Sequence, residues 1–276
     1  MMDYSIEQNG IKVPKNDFFN PFDTVLCGQV FRYNIENNKI IIYSKNHRAI
    51  IEDLGEFYFI STNVPKYFVK YLDFEQNYDI IYSKLNDKGL IRACLDYSKG
   101  IHILNQDPVE MIISFIISAN NNIPRIQKII NKLCLELGEN CGDYYAFPTI
   151  EALASQNEDF YKSIGAGYRA SYLADTSKKL LNYDVSKLFT LTTEDLIKEL
   201  EKFKGVGPKV ADCIALFAFH RGDVCPVDTW MKKVYNEFFG DSQDPKFIRK
   251  ELTDRFKDLS GYMQQYLFYY MRELDN

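Results

Sequence analysis

One amine and one carboxylate, Lys209 and Asp228, stand 19 residues apart within LEKFKGVGPKVADCIALFAFHRGDVCPVDTWMKK, residues 200–233. This pair is enough for attack at a sugar carbon. The carboxylate stabilises a cationic transition state, and a neutral amine supplies the electron pair. The frame around them reads as helix, turn, helix and loop. Leu196, Ile197, Leu200 and Phe203 share one helical face, and Thr192 with Asp195 forms a capping-box pattern ahead of it. Gly205-Val206-Gly207 supplies a turn in which positive φ costs little, and Pro208 suits the first position of a second helix. The small residues Val210, Ala211, Ile214, Ala215 and Ala218 let that second helix approach a neighbour closely. Such a turn aims backbone N–H groups from the positive end of a helix dipole, an anion site for which DNA phosphate is a candidate. A cationic, partly apolar neighbourhood predicts a lowered pKa for Lys209. Taken singly, each feature has a plainer reading: GxG turns join many helices, lone lysines are mostly solvated, and aspartates cap helices.

The elements that must hold this frame follow from the rest of the chain. A length of 276 residues allows one large or two modest domains, and 46% hydrophobic content supplies a core. No stretch reaches 18 apolar residues, so no membrane span is expected, and the start MMDYSIEQNG has no apolar signal region. Cysteines 27, 94, 134, 141, 213 and 225 form no CxxC pair and have no histidine at ligand spacing. That pattern predicts no zinc or iron–sulfur centre, and reduced thiols in the cytoplasm. Segments 29–33, 39–44, 48–52 and 56–61 are rich in Ile, Val, Phe and Tyr and separated by turn residues, a meander of antiparallel strands. Helical patterns begin at Pro65, and strand signals stop after Gly100. Asp107-Pro108-Val109-Glu110 combines an N-cap, a proline at the first position and a third-position glutamate. The run 111–117 is apolar nearly all round, a buried central helix. Further helices are expected at 126–138, 150–154, 159–164, 168–182, 247–259 and 261–274. The fold class is α+β: an N-terminal antiparallel β domain with flanking helices over 1–103, then a helical core over 104–276.

The sequence LxxFKGVGPKVADCI followed by PVDTW resembles the helix–hairpin–helix DNA glycosylases that carry a Gly/Pro-rich loop and an aspartate. In that superfamily a lysine at the place of Lys209 marks members that cut both base and strand. Further matches narrow the resemblance to the 8-oxoguanine DNA glycosylase family: Cys27-Gly28-Gln29-Val30-Phe31-Arg32, Gln106-Asp107-Pro108, Ser114-Phe115-Ile116, residues 118–126 (SANNNIPRI), Gly165-Ala166-Gly167-Tyr168-Arg169-Ala170 and Gln264-Gln265-Tyr266-Leu267-Phe268. They run in the family's order from about residue 20 to about residue 270.

The resemblance implies roles. Gly28 offers its carbonyl to the N7 hydrogen of the oxidised base, where guanine has a bare lone pair. Phe268 and Cys213 sandwich the base, and Gln264 meets its Watson–Crick edge. Asn120, Arg125, Tyr168 and Arg169 fill the vacated space and contact the orphaned cytosine, while Gly205 and Gly207 belong to the phosphate-gripping hairpin. Lys209 forms the Schiff base and Asp228 supports it. No metal or cofactor is implied, although a monovalent cation on the hairpin carbonyls is allowed. The implied partner is double-stranded DNA containing 8-oxoguanine, with no membrane, acting as a monomer in the cytoplasm, nucleoid-associated in a bacterium. Trp230 stands where the family commonly has histidine, and Met271 where a carboxylate is frequent, so the phosphate anchor is altered and opposite-base preference stays open. Net charge runs against DNA binding: 33 Lys+Arg against 38 Asp+Glu gives −5. Lys202, Lys204, Lys209, Lys232 and Lys233, with Arg125 and Arg169, therefore have to make a local basic face. Alternative readings are a glycosylase for another damaged base, a non-catalytic helix–hairpin–helix binding module, or a small-molecule enzyme with an incidental GVG turn.

Overall fold

The computed structural model describes residues 2–274. The sheet comprises Ser5–Glu7 (β1), Gly10–Pro14 (β2), Tyr33–Glu36 (β3), Lys39–Ser44 (β4), His47–Asp53 (β5) and Phe57–Ser61 (β6), all antiparallel, in the order β1-β2-β6-β5-β4-β3. Ile11 and Val13, Ile40 and Ile42, Ala49 and Ile51, and Ile60 turn to one face with the period of two that a pleated strand imposes, and all are buried. Pro21–Leu26 (α1) lies between β2 and β3, and Pro65–Tyr71 (α2) packs Phe68, Val69 and Tyr71 into the sheet core.

The remaining helices are Tyr78–Asp87 (α3), Arg92–Tyr97 (α4), Pro108–Ser118 (α5), Ile123–Leu137 (α6), Ile150–Ala154 (α7), Glu158–Ser163 (α8), Ala170–Leu181 (α9), Thr193–Leu200 (α10), Pro208–Phe219 (α11), Thr229–Phe238 (α12), Pro245–Phe256 (α13) and Ser260–Leu274 (α14). Short 3-10 turns precede α9, α10 and α14. The predicted central helix is α5, with Glu110 through Ile117 buried. Its Asp107 cap accepts from the Glu110 amide at 3.0 Å.

Three expectations are corrected. The strand expected at 29–33 begins at Tyr33, because Asn37 and Asn38, both at positive φ, make the two-residue turn that pairs β3 with β4. Residues 5–7 and 10–14 are also strands; β1 is exposed along its length and so carries no apolar alternation to read. Glu110 does not close a capping box. Its carboxylate accepts from the Lys45 amide at 3.0 Å and pairs with Arg32 at 3.3 Å, both side chains being buried.

Two hydrophobic cores result. One lies under the sheet and the larger fills the helical part, which also takes α3 and α4. The chain crosses between them at the end of α1: Val25 and Val30 belong to the sheet core, Cys27 and Phe31 to the helical core. The Arg32–Glu110 pair ties the same crossing to α5, with Arg32 also donating to the Tyr145 carbonyl at 2.8 Å. Arg32→Met strands a buried carboxylate, so we expect a loss of about 3 kcal/mol, a fall in melting temperature of roughly 6–12 °C. Thermal melts of Arg32→Met beside Arg32→Met/Glu110→Leu check this; the double variant should recover most of the loss.

Candidate active site

Local capping sets the hairpin. Thr192 accepts from the Asp195 amide at 3.2 Å and starts α10, and Pro208 starts α11. The turn between them is held from α9: Lys179 Nζ donates to the Lys202 carbonyl at 2.8 Å and Thr176 Oγ1 to the Lys204 carbonyl at 3.0 Å. Gly205 lies at φ +91°, and a Cβ there would stand 2.8–3.0 Å from the Tyr172 side chain, so it is required both for conformation and for space. Gly207 is different from the expectation for the turn. Its φ of −99° and ψ of −179° are extended, nothing lies near a would-be Cβ, and it caps α11 without a side chain. The first-turn amides of α11 are therefore left open to an outside acceptor.

Lys209, Cys213 and Phe217 recur at i, i+4 and i+8 on α11 and line one pocket. Asp228 enters it from the start of α12, where its carboxylate accepts from the Met231 amide at 2.9 Å. Gln264 and Phe268 enter from α14, and Gly28, at φ +87°, lines it beside Phe268. All six residues singled out for chemistry and base contact thus share a single cavity. Cys27, Phe115, Phe217, Pro226 and Gln265 also line it. These have no role in the sequence reading, although the i, i+4, i+8 spacing from Lys209 through Cys213 is a signal by which Phe217 could have been found. Gln264 is 5% exposed, and its Oε1 is buried with no hydrogen-bond partner, which is costly unless something entering the pocket donates to it.

The electrostatics correct the expectation for Lys209. Its pKa is raised: the Cys213 sulfur and the Asp228 carboxylate favour the ammonium against desolvation. Burial pushes the Cys213 thiol up to about 11, so near neutrality it is uncharged and Asp228 is the effective anion. The lysines that were expected to depress Lys209 are turned elsewhere. Lys202 pairs with Glu199, and Lys233 lies over the Trp230 ring, 4.5 Å from its centroid.

The DNA-contact candidates lie on a second cluster. Of the three consecutive asparagines, Asn121 donates to the Ile117 carbonyl and Asn122 caps α6, leaving Asn120 exposed at φ +50°. Arg125 and Tyr168 are exposed, while Arg169 is only 3% exposed. Its guanidinium is bound to the Ala119 and Asn120 carbonyls, so it holds the turn that displays Asn120 rather than reaching outward. Trp230 and Met271 are both half-buried. Among the described residues no group of His, Cys, Asp and Glu side chains is arranged to hold a metal, and no helix is long and apolar enough to cross a membrane.

Residues 113–258 match the HhH-GPD superfamily base excision DNA repair proteins, and residues 10–112 match the 8-oxoguanine DNA glycosylase N-terminal domain. The chain belongs to the 8-oxoguanine glycosylase branch of the HhH-GPD superfamily. An 8-oxoguanine glycosylase/lyase of Clostridium acetobutylicum, solved with double-stranded DNA containing cytosine opposite 8-oxoguanine, is 36% identical and superposes with a TM-score of 0.92 over 100% of this chain and 99% of that one. An N-glycosylase/DNA lyase of Saccharomyces cerevisiae is 31% identical over 86% of this chain and 66% of its own length. A probable N-glycosylase/DNA lyase of Methanothermobacter thermautotrophicus is 32% identical over 72% of each. The two family matches meet at residue 112, within α5, so in this HhH-GPD chain the boundary between them falls inside a buried helix.

Gly205→Ala is expected to cost about 2 kcal/mol through strain and the clash with Tyr172. Gly207→Ala should leave the melting temperature unchanged yet weaken duplex binding, since only an approaching phosphate needs that space. Melting curves and fluorescence anisotropy on the two variants separate the cases.

Proposed function

We propose that this chain is a bifunctional DNA glycosylase/AP lyase that excises 8-oxoguanine from duplex DNA. The observation that carries the reading is the convergence of Lys209, Asp228, Gly28, Cys213, Gln264 and Phe268 on one pocket, with the Gln264 oxygen buried and unpaired. The damaged nucleotide leaves the stack, at a cost of a few kcal/mol. Asn120, Arg125 and Tyr168 stand on the exposed face that meets the gap, and Arg169 supports them. Open amides at α11 grip phosphate, and Lys204 and Arg125 add positive charge where the net charge does not.

In the pocket, Phe268 stacks on one face of the base, worth roughly 1–3 kcal/mol, and Cys213 lies against the other. Gly28 accepts from N7–H, and Gln264 takes the Watson–Crick edge. As the C1′–N9 bond breaks, Asp228 stabilises positive charge on the sugar. The electron pair leaves with the base, whose new negative charge accepts the proton that Lys209 must lose. The freed amine bonds to C1′, and the C1′–O4′ bond then opens, O4′ taking the proton shed by the nitrogen, to leave a Schiff base. Loss of a C2′ proton then breaks the C3′–O bond and nicks the strand. The amine and carboxylate supply this route without a cofactor. We place the protein on DNA in the cytoplasm, nucleoid-associated in a bacterium, acting as a monomer.

Borohydride trapping on a duplex carrying 8-oxoguanine opposite cytosine tests the reading. The native chain should give a covalent adduct and Lys209→Gln none; an intact duplex from the native chain overturns the assignment. A pH series on a preformed abasic site tests the electrostatics. A raised Lys209 pKa means that little neutral amine exists near neutrality, so trapping should rise roughly tenfold per pH unit into the alkaline range. Asp228→Asn removes the anion that favours the ammonium, so the rising limb should move to lower pH.

A further inference from the structure

The Gly28 turn is bound at the carbonyls on both sides of Gly28. Arg272 Nη2 donates to the Leu26 carbonyl at 2.8 Å. Gln265 Nε2 donates to the Cys27 carbonyl at 2.8 Å. Beyond Gly28, Gln106 Nε2 donates to the Gln29 carbonyl, also at 2.8 Å. Among the described residues none donates to the carbonyl of Gly28 itself, although Gly28 lines the pocket. Gln265 is 2% exposed and Gln106 5% exposed, so these bonds form out of competition with water. Gln265, Phe268 and Arg272 fall at i, i+3 and i+7, one face of α14. The Arg272 guanidinium also lies 5.7 Å from the Phe268 ring centroid and would stand 3.5 Å from a Cβ on Gly28.

We propose that Gln265 and Arg272 are positioning residues that fix the direction of the Gly28 carbonyl and so set discrimination between 8-oxoguanine and guanine. The inference rests on the functional reading above. Discrimination by one hydrogen-bond polarity works only if the acceptor stays put. A glycine at positive φ can rotate its peptide away from a guanine N7 lone pair and escape the repulsion. Tying the carbonyls of Leu26, Cys27 and Gln29 removes that escape. Because both donors come from the helix that carries Phe268, the acceptor and the stacking ring are held in one frame.

The test compares Gln265→Met, Gln265→Glu, Arg272→Met and Arg272→Lys in the full chain. In a Lys209→Gln background, affinity is measured for duplexes carrying 8-oxoguanine, guanine or an abasic site opposite cytosine. The ratio of 8-oxoguanine to guanine affinity should fall about tenfold or more in Gln265→Met and Arg272→Met, the scale of a lost bond to a buried acceptor. Gln265→Glu, nearly the same shape but without the donor, should lose at least as much, and Arg272→Lys should recover part. In the Lys209 chain, excision of 8-oxoguanine should fall by about tenfold more than nicking of a preformed abasic site. An unchanged affinity ratio overturns the proposal, as does a parallel fall in excision and nicking. A native chain that nicks abasic sites but does not prefer 8-oxoguanine over guanine overturns the functional reading first, and the clamp with it.

Discussion

The pocket depends on how the start of α14 meets the end of α11. Gly261, at the start of α14, would place a Cβ 2.4 Å from a Leu216 side-chain carbon, and its amide donates to the Gly222 carbonyl at 2.8 Å. Gly222 in turn has no room for a Cβ beside the Asp258 carbonyl, 2.3 Å away. These two contacts let the loop after α11 and the start of α14 meet at backbone distance, and the buried Tyr262, Met263, Tyr266 and Leu267 then fix the rotation of α14. A helix turns about 100° per residue, so setting the rotation decides at once that Gln264, Gln265 and Phe268 line the cavity while Gln265 and Arg272 reach the carbonyls at the end of α1. Sliding α14 by one turn, about 5.4 Å, would remove both sets together. The amine and the stacking ring are thus positioned by the same packing event.

That geometry gives Asp228 two consequences. Near the nucleophile it favours the ammonium, which does not attack. In the proposed reaction it would also favour the sugar cation that appears only as the glycosidic bond breaks. An anion that serves the transition state while quieting the resting amine makes the nucleophile depend on a proton acceptor delivered by the reaction. The departing base is such an acceptor, so bond cleavage and amine release are coupled by charge balance. The neighbouring cysteine adds no competing anion, because burial keeps its thiol protonated at neutral pH.

Much of this was legible in the sequence where the signal is local. The hairpin, the Thr192 and Asp107 caps, the central helix and strands 39–44 and 56–61 all rest on caps, turns and periodicity that neighbouring residues enforce. What was misread depends on contacts distant in the chain. Glu110 has the spacing of a capping residue but finds Arg32, 78 positions away, and a buried ion pair outweighs an exposed cap. Lys209 lies among lysines in sequence, yet its environment is set by Cys213, one turn along α11, and by Asp228 across the pocket. Gln265 is read as one more polar residue of a helix until α1 is seen against it. Helix α1 was missed, although asparagine followed by proline is a helix-start signal; Asn20 caps it with bonds of 3.0 and 3.2 Å from the Phe22 and Asp23 amides.

Arg169 illustrates how an arginine in a recognition motif can act without touching the ligand. Three carbonyls, those of Ala119, Asn120 and Ala166, accept from its guanidinium, which desolvates the charge while keeping its donors occupied. Its ring of acceptors closes the turn after α5, where Asn120 sits in the left-handed region that asparagine tolerates better than other side chains. Tyr168 packs over the same guanidinium, 4.4 Å from ring centroid to cation, and its hydroxyl reaches the Ala119 carbonyl at 3.2 Å. An exposed polar side chain entering a duplex must already be fixed, because ordering it on arrival would spend part of the energy gained from the gap. The cation that sequence alone would assign to nucleic acid is held inside the protein, where it fixes the turn that displays Asn120, the side chain we propose enters the gap.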